Sequence, residues 1–232
     1  MRIVMTAKEL SESYQSLSFQ ERLERLFEEF PQNKILVTSS FGTTSMVLLH
    51  LLSKVRPGHP VHFIDTSYHF PETLAYRDEL VKGLGLNVVE LKAKPKKNQF
   101  TKENQTWRFN QDLCCFINKV EPLDTIKPGY SIWVSGLMGF QNVHRKNLNL
   151  FQPRDGLLKF HPLIDMSKED LNLYQQLFEL PTHSLVHKGY NSVGCTHCTK
   201  KGQGREGRWL DVKKTECGLH DNQDWIKNRM AG

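Results

Sequence analysis

The sequence predicts an α/β fold with a mainly parallel β-sheet and helices on both of its faces. Two observations indicate this architecture. Short apolar runs such as "KILVTSS" and "PVHFIDT" alternate along the chain with longer segments of helical periodicity. The helical segments also carry end signals, with Pro71 near one first turn and Gly83 and Gly85 at the end of the same segment. Such alternation is typical of a parallel sheet covered on both faces.

Each element follows from these patterns. Residues 8–30 are expected to form amphipathic helices that Pro31 terminates. The expected strands lie at 34–40, 60–66, 86–93, 130–137 and the start of 159–180. The expected helices lie at 43–55, at 70–85, from 108 to Glu121 and in the rest of 159–180, where Ser167 and Asp170 suit a capping box. The stretch 94–106 is interpreted as a polar interval, and the chain after Pro181 as mostly loop.

Composition and charge narrow the class of protein. Hydrophobic residues make up 38% and charged residues 24%, as in an ordinary globular chain that buries a core. The N-terminus lacks the apolar region of a signal peptide, and no stretch approaches the roughly 18 apolar residues of a membrane span, so a cytoplasmic protein is expected. The net charge of +6 suits nucleic acid or a small anion. Because the basic residues are spread over several loops, the sequence favours the small anion.

The loop after the first strand, "SSFGTTS" at 39–45, consists of small residues. Backbone N–H groups in such a loop can approach an anion at the helix N-terminus, which would make it a phosphate site. The alternative is an ordinary strand-to-helix turn with Ser and Thr caps. The loop is not a Walker A motif, because no Gly-Lys-Ser/Thr ends it. In parallel sheets, ligands bind beyond the carboxyl ends of the strands, where this loop lies.

The five cysteines fall into three groups, namely Cys114-Cys115, the CxxC pair Cys195 and Cys198, and the isolated Cys217. A reducing compartment disfavours a disulfide framework. The two pairs supply four thiolates that could hold a soft metal. Adjacent thiolates are awkward for one tetrahedral zinc ion but suit an iron–sulfur cluster, where they bind different irons. Chemistry alone favours a cluster and leaves zinc and unliganded thiols open.

Two segments resemble the superfamily of ATP pyrophosphatases and sulfonucleotide reductases. The ATP-cleaving branch carries Ser-Gly-Gly-x-Asp-Ser, whereas this chain has "SFGTTS" at 40–45, which favours the reductase branch. The segment "IDTSYHFPET" at 64–73 is similar to the Asp-Thr-Gly-Tyr-x-Phe-Pro-Glu-Thr of that branch, with Ser67 in place of Gly. The resemblance implies a fold like that of the adenine-nucleotide alpha-hydrolases.

Three further segments resemble adenylyl-sulfate (APS) reductases: "DLCCFINKVEPL", "GYNSVGCTHCT" and "KTECGLH". With the loop at 39–45, these motifs span residues 39 to 220 in the order of the family. The chain is therefore identified as a member of the APS/phosphoadenylyl-sulfate (PAPS) reductase family, on its cluster-containing branch. The resemblance implies one reductase domain over 1–210 and a mobile C-terminal tail, 211–232, that carries the nucleophile.

The resemblance also implies the chemistry. Cys114, Cys115, Cys195 and Cys198 would bind a [4Fe–4S] cluster. The Cys217 thiolate would attack the sulfuryl sulfur of APS, AMP would leave, and thioredoxin or glutaredoxin would release sulfite from the S-sulfocysteine. Reductases restricted to PAPS typically lack all four cluster ligands, but some cluster-bearing members accept both nucleotides. The sequence leaves a homo-oligomer open.

Substrate contacts follow from the same motifs. Arg205 and Arg208 match the Arg-x-Gly-Arg of the family, and Lys119 matches the lysine that links cluster and substrate. Nearby basic residues and His220 would favour the Cys217 thiolate. The expected nucleotide and substrate contacts are Ser39, Ser40, Phe41, Gly42, Thr43, Asp65 and His220. One segment departs from the family, because "GLMGFQN" at 136–142 lacks both arginines of Gly-Leu-Arg-Arg-x-Gln-Ser, and Arg145 is the nearest replacement.

Three other functions fit parts of the sequence. A PAPS-specific or dual-specific reductase differs only in its nucleotide. An ATP-dependent thiolation or ligation enzyme is disfavoured by the missing Gly-Gly-x-Asp. A zinc-bound nucleic-acid module would show salt-dependent binding of RNA or DNA and no iron.

Overall fold

The computed structural model describes residues 5–154, 156–209, 216 and 218–220. Within these residues, six strands form one sheet in the order β3-β2-β1-β4-β6-β5. The strands are β1 (Ile35–Ser39), β2 (Pro60–Asp65), β3 (Asn87–Lys92), β4 (Ile132–Ser135), β5 (Phe151–Arg154) and β6 (Leu157–Phe160). Every neighbouring pair is parallel except β5 with β6. Because β2 lies on one side of β1 and β4 on the other, the strand order reverses between β1 and β4.

The helices connect the strands and cover the sheet. In the described part of the chain they are α1 (Ala7–Tyr14), α2 (Phe19–Glu29), α3 (Met46–Val55), α4 (Pro71–Leu84), α5 (Pro95–Glu103), α6 (Thr106–Phe109), α7 (Gln111–Cys115), α8 (Glu121–Asp124), α9 (Val143–Lys146) and α10 (Lys168–Leu177). A π-helical turn, Phe116–Val120, joins α7 to α8. Ser167 caps α10, and Asp170 completes the expected capping box.

The two faces of the sheet pack into separate cores, because successive strand residues point to opposite sides. Val37 and Val134 belong to the first core, which also contains residues of α1, α2, α3, α4 and α10. Leu36 and Trp133, their neighbours in sequence, belong to the second core. The helical cover of that second core comes from Val120 and Leu123, and Leu219 of the C-terminal segment completes it. The predicted mainly parallel sheet with helices on both faces is therefore confirmed.

The sequence-based expectation lacks several elements, of which α5 and β5 have clear physical reasons. The polar interval 94–106 contains α5, which begins at Pro95 and buries only Thr101. Because this helix has no apolar stripe, the sequence pattern does not predict it. Strand β5 contains Pro153, and proline is tolerated there because β5 lies at the edge of the sheet.

The helix expected from residue 108 to Glu121 is broken into shorter pieces. Asn110 interrupts it, and its side chain accepts a hydrogen bond from the Leu113 N–H at 2.9 Å. At the far end, the structure begins α8 at Glu121 instead of ending a helix there. Pro122 is accommodated because a first helical turn requires no donor from its N–H groups.

The domain boundary at 210 stays a prediction. Of the expected tail, 211–232, the structure describes Glu216 and Gly218–His220, whereas Cys217 lies outside the described residues. No helix among the described residues has both the length and the apolar character needed to cross a membrane.

Candidate active site

A cavity of about 560 Å³ opens at the carboxyl ends of β1 and β4, where the strand order reverses. Thr38 and Ser39 reach it from β1, and Ser135 reaches it from β4. This is the position at which open α/β sheets bind ligands. Its volume lies within the range of pockets for small molecules.

Hydroxyl groups of the loop 39–45 form hydrogen bonds with the backbone of the same loop. The Phe41 N–H donates to Ser39 Oγ at 3.2 Å, and Ser45 Oγ donates to the Gly42 carbonyl at 2.7 Å. Phe41 adopts a left-handed conformation with a φ of 47°, which is uncommon for a residue with a large side chain. The resulting turn presents hydroxyls and backbone to the cavity, through Ser39, Ser40, Gly42, Thr43, Thr44 and Ser45.

Two of the expected nucleotide contacts do not bring their side chains to this cavity. The Phe41 ring is fully buried and meets Phe63 edge-on at 5.5 Å, so Phe41 can offer only its backbone. Asp65 accepts a hydrogen bond from the Ser67 N–H at 2.8 Å and pairs with Lys92 at 3.2 Å. Burial opposes the charge of Asp65, but these two partners hold its pKa below the usual value. Asp65 therefore caps a turn.

Five cationic residues of the described chain line the cavity: Lys119, Arg145, Lys168, Arg205 and Arg208. Arg208 Nη1 donates to the Val193 carbonyl at 3.2 Å, and its guanidinium lies 4.4 Å from the centre of the Trp209 ring. These contacts hold the guanidinium flat against the wall of the cavity.

Gly194 makes room for Arg208. A Cβ atom at Gly194 would lie 2.2 Å from Arg208 Nη2, so only glycine permits this placement of the guanidinium. Both residues lie within motifs that the sequence singled out, "GYNSVGCTHCT" and "REGRW". The structure gives the physical reason for that combination.

The described residues of the tail are held against the second core. Leu219 is buried there, and its carbonyl accepts a hydrogen bond from the buried Lys159 Nζ at 2.9 Å. His220 stacks on Trp133 with ring centres 5.9 Å apart. Burial, together with Lys159 and Arg145, holds the pKa of His220 well below its ordinary value, so its ring is neutral. Leu219 and His220 both line the cavity, but a neutral His220 ring carries no charge that would favour the Cys217 thiolate, contrary to the expectation from the sequence.

Glu216 enters this region as a buried carboxylate between two arginines. Arg145 Nε lies 2.6 Å from Glu216 Oε1, and Arg145 Nη2 lies 2.8 Å from Oε2. Arg205 Nη2 lies 3.2 Å from Oε2, and Asn142 Nδ2 donates to Oε1 at 2.7 Å. Burial raises the pKa of this carboxyl, but Arg145 and Arg205 outweigh burial and lower it below its usual value. Arg145 therefore stands at the site as the sequence expected, but it contacts the tail.

A second, smaller cavity adjoins the first and is lined by the four paired cysteines, Cys114, Cys115, Cys195 and Cys198. Thr66 Oγ1 lies 3.3 Å from Cys195 Sγ. The rings of Trp107 and His197 stack at 4.1 Å on its wall. Lys119, Arg208 and Trp209 line both cavities and separate them.

The thiols are close enough to influence one another. Burial, followed by the neighbouring Cys195 and Cys198, raises the pKa of Cys114 to about 12. Burial and Cys195 raise the pKa of Cys198 to about 11. As the side chains stand, no three His, Cys, Asp or Glu residues of the described chain form a group that could hold a metal ion. The donor set is nevertheless thiolate-rich, and such buried thiols ionise when a cation compensates their charge.

Several cavity residues have no role that the sequence predicts, among them His69, Gln141 and Asn191. His69 donates from Nε2 to the Ile64 carbonyl at 3.0 Å, and burial lowers its pKa to about 4, so it is neutral. Gln141 donates to Thr44 Oγ1 at 3.0 Å and so joins the loop after β4 to the loop after β1. Asn191 accepts a hydrogen bond from Thr43 Oγ1 at 2.8 Å. Each lies in or beside a recognised motif, but only the fold shows which of them reach the cavity.

Comparison with known proteins gives relatives over most of the chain. The model of the phosphoadenosine phosphosulfate reductase domain matches residues 34–201. The chain is 38% identical over 197 residues to the adenosine 5′-phosphosulfate reductase of Halalkalibacterium halodurans, covering 81% of this chain and 85% of that protein. It is 35% identical over 225 residues to the adenosine 5′-phosphosulfate reductase of Mesorhizobium japonicum, covering 94% and 88%.

Solved structures agree. The phosphoadenylyl-sulfate reductase of Candida auris, solved as a phosphate complex, superposes with a TM-score of 0.72 at 27% identity and covers 85% of this chain and 99% of its own. The FMN adenylyltransferase of Candida glabrata, at 15% identity and a TM-score of 0.53, covers 96% of this chain and 87% of its own and shares the fold alone. The strand order, the cavity and these similarities agree, and the chain belongs to the phosphoadenosine phosphosulfate reductase family.

Proposed function

We propose that this chain reduces adenylyl sulfate to sulfite and AMP, with Cys217 as the nucleophile and a thioredoxin-type dithiol as the reductant. The observation that carries the proposal is the cavity between β1 and β4. It brings the predicted anion-binding loop 39–45, a set of cations and two tail residues close to Cys217 in sequence, Leu219 and His220, into one place. The curated relatives at 35–38% identity are named adenosine 5′-phosphosulfate reductases, which supports the choice of nucleotide.

The proposed first step is a displacement at sulfur. The Cys217 thiolate attacks the sulfuryl sulfur, a sulfur–sulfur bond forms, and the bond from sulfur to the phosphate oxygen breaks. AMP leaves with that electron pair, and Cys217 carries a sulfonate. Three of the cationic side chains that line the cavity, Lys119, Arg205 and Arg208, would stabilise the charge that builds on the leaving phosphate.

The proposed second step is thiol–disulfide exchange. A thiolate of the reductant attacks the Cys217 sulfur, and sulfite leaves with the electron pair of the sulfur–sulfur bond. The second thiol of the reductant then resolves the mixed disulfide and restores the Cys217 thiol. Sulfur is reduced by two electrons, and the dithiol is oxidised to a disulfide.

The nucleotide is the finer part of this proposal. The loop after β4 has Met138 and Gly139 where the family carries two arginines, so it adds no cation there. Met138 is fully buried, and a Cβ at Gly139 would lie 2.8 Å from the Ile164 carbonyl oxygen, so neither position has room for an arginine side chain. An assay of sulfite formation with each nucleotide tests the choice. A large preference for PAPS would contradict it.

The cofactor is also a proposal. The four cysteines around the smaller cavity would hold a [4Fe–4S] cluster, whose four-thiolate ligation matches this donor set. When bound, the cluster would fix the two ligand pairs relative to one another and contribute charge beside Lys119. Thiolates that ligate iron require a reducing compartment, consistent with the cytoplasmic location expected from the sequence.

The metal is identified by analysis of anaerobically purified protein. We expect brown protein with about four irons per chain, as four-thiolate cluster ligation gives. Stoichiometric zinc without iron would contradict the cluster and favour a single-ion site.

The decisive experiment for the reaction traps the covalent intermediate. Wild-type protein incubated with APS and no reductant should gain one sulfonate, located on Cys217 by peptide mass mapping, and reduced thioredoxin should remove it. Cys217→Ser should keep its iron and its affinity for AMP, but lose sulfite formation by several orders of magnitude, because a neutral hydroxyl cannot replace the thiolate. A sulfonate on one of the paired cysteines, or turnover by the Cys217→Ser variant, would show that the roles are assigned wrongly.

A further inference from the structure

Glu216 carries no role in the reaction proposed above, although it precedes the nucleophile in sequence. Its side chain is 2% exposed and accepts four hydrogen bonds from three side chains, Arg145, Arg205 and Asn142. Burying a carboxylate is strongly unfavourable unless it is paired and hydrogen-bonded, as this one is. Because so many hydrogen bonds are needed to offset the burial of this charge, we expect the position of Glu216 to be important for the site.

The partners of Glu216 are themselves part of the cavity. Arg145 and Arg205 line it, whereas Glu216 does not, so the guanidinium groups stand between the carboxylate and the space for the substrate. Arg145 presents Nε and Nη2 to the carboxylate in the two-pronged geometry that restrains both groups most strongly. Glu216 therefore fixes the orientation of two cations at the cavity wall, and they fix Glu216.

The same contacts continue to the nucleotide loop. Arg145 Nη1 donates to Gln141 Oε1, and Gln141 Nε2 donates to Thr44 Oγ1 at 3.0 Å. Gln141 Oε1 also accepts a hydrogen bond from the Met138 N–H at 3.2 Å, which leaves its amide little freedom. A continuous path of side-chain hydrogen bonds thus runs from the loop after β1 to Glu216.

We propose that Glu216 is a positioning residue for the sulfonation step. Its carboxylate is held by Arg145 and Arg205. This contact fixes the position of the chain directly before Cys217 relative to the nucleotide loop, 39–45. Neighbouring Cα atoms are about 3.8 Å apart, so an anchor at Glu216 limits where the chain can carry the next residue. The inference rests on the proposed function, because it concerns the nucleophile of that reaction.

The substitution Glu216→Gln tests this role with little change of shape. It removes the charge and turns an amide nitrogen toward the arginines. Single-turnover formation of the Cys217 sulfonate should slow on the order of 10- to 100-fold, the cost of a nucleophile displaced by about an ångström. Affinity for AMP, measured by calorimetry, should change by no more than about threefold, since the loop that binds the phosphate keeps its own hydrogen bonds. Glu216→Asp, which keeps the charge on a shorter side chain, should recover part of the rate.

The matched control is Asp165→Asn. Asp165 forms the comparable two-pronged pair with buried Arg22, at 2.6 and 2.7 Å, and neither residue lines the cavity. The Asp165 side chain is 42% exposed, so this variant shows any general effect of removing the two-pronged carboxylate from a buried arginine. It should form the sulfonate at the wild-type rate.

A second measurement does not depend on the reaction. Hydrogen–deuterium exchange of the peptide that spans 216–220 should be on the order of 10-fold faster in Glu216→Gln and unchanged in Asp165→Asn, because the anchor is lost only in the first. Equal exchange in all three proteins, or wild-type sulfonation by Glu216→Gln, would overturn the proposal. A parallel fall in AMP affinity and sulfonation would also overturn it, since Glu216 would then serve binding. If wild-type protein forms no sulfonate with APS, the proposed function fails and the exchange measurement alone decides on the anchor.

Discussion

The two adjoining cavities differ in what builds them. The larger one is made by loops at the ends of parallel strands, with hydroxyl groups, backbone and cations on its walls. The smaller one is made by a short helix and a 3₁₀ turn, with four thiols and the stacked pair of Trp107 and His197. The first suits an anion that enters and leaves, whereas the second suits a group that stays. Within the described chain, the two cavities share one wall, which consists of Lys119, Arg208 and Trp209.

The sharpest test of this division removes a ligand from the smaller cavity. Cys195→Ser should lose iron and its visible absorbance and abolish sulfite formation, because the thiolate set holds the two ligand segments beside Lys119. Cys217→Ser is the matched control, since it loses the same activity and should keep its iron. Full activity in iron-free Cys195→Ser would show that the two cavities work independently.

The shared wall should give the next largest effect. If Lys119 stabilises the leaving phosphate as proposed, Lys119→Ala should lower kcat/KM for APS on the order of 100-fold, because the lysine acts in a confined site. Iron content should stay unchanged. The control is Lys97→Ala, which removes an exposed lysine of α5 that pairs with Glu121. An equal loss in both variants would indicate a general effect of net charge.

Displacing Arg208 within the shared wall should have a smaller effect on activity. Gly194→Ala places a methyl group 2.2 Å from Arg208 Nη2 and so must displace the guanidinium. We expect KM for APS to rise on the order of 10-fold, the value of one charged hydrogen-bonded contact, with kcat changed less. Gly83→Ala is the control, because nothing lies within 4 Å of a Cβ at Gly83. An unchanged KM would show that Arg208 does not contact the substrate.

The smallest expected effect concerns His161, which contacts Ser135 of β4 beside the larger cavity. His161 Nδ1 lies 2.9 Å from Ser135 Oγ, and burial lowers the pKa of His161 to about 3. A histidine whose pKa is lower in the folded state makes the unfolded state bind more protons, so stability falls as the pH drops below 6.5. From pH 7 to pH 5 this residue alone should cost about 2 kcal/mol of unfolding free energy. Urea titrations of His161→Asn should show a shallower loss than the wild type, and parallel losses would contradict the assignment.

The sequence predicted the larger cavity better than the network that holds it together. The parallel strands are apolar runs between helical segments, and the anion loop, the cysteine pairs and Arg208 stand in motifs, so their meeting at one sheet edge could be expected. Helix α5 could not, because a helix that buries only Thr101 has no periodicity. The contact between Arg145 and Glu216 joins residues 71 positions apart. Neither residue type alone indicates such a pair, and only the fold brings them together.

The placement of Leu219 has a consequence for the encounter with the protein reductant. This leucine is part of the second core, so the described segment Gly218–His220 packs against the fold at that residue. Lifting the tail exposes an apolar side chain whose burial is worth about 2 kcal/mol, which would leave the open form at roughly 3% of molecules. The hydrogen bond from Lys159 lowers that population further. If the proposed reductant reaches Cys217 only in the open form, its apparent second-order rate constant is reduced by the same factor, and the packing of Leu219 slows the second half-reaction together with the contacts of Lys159 and Glu216.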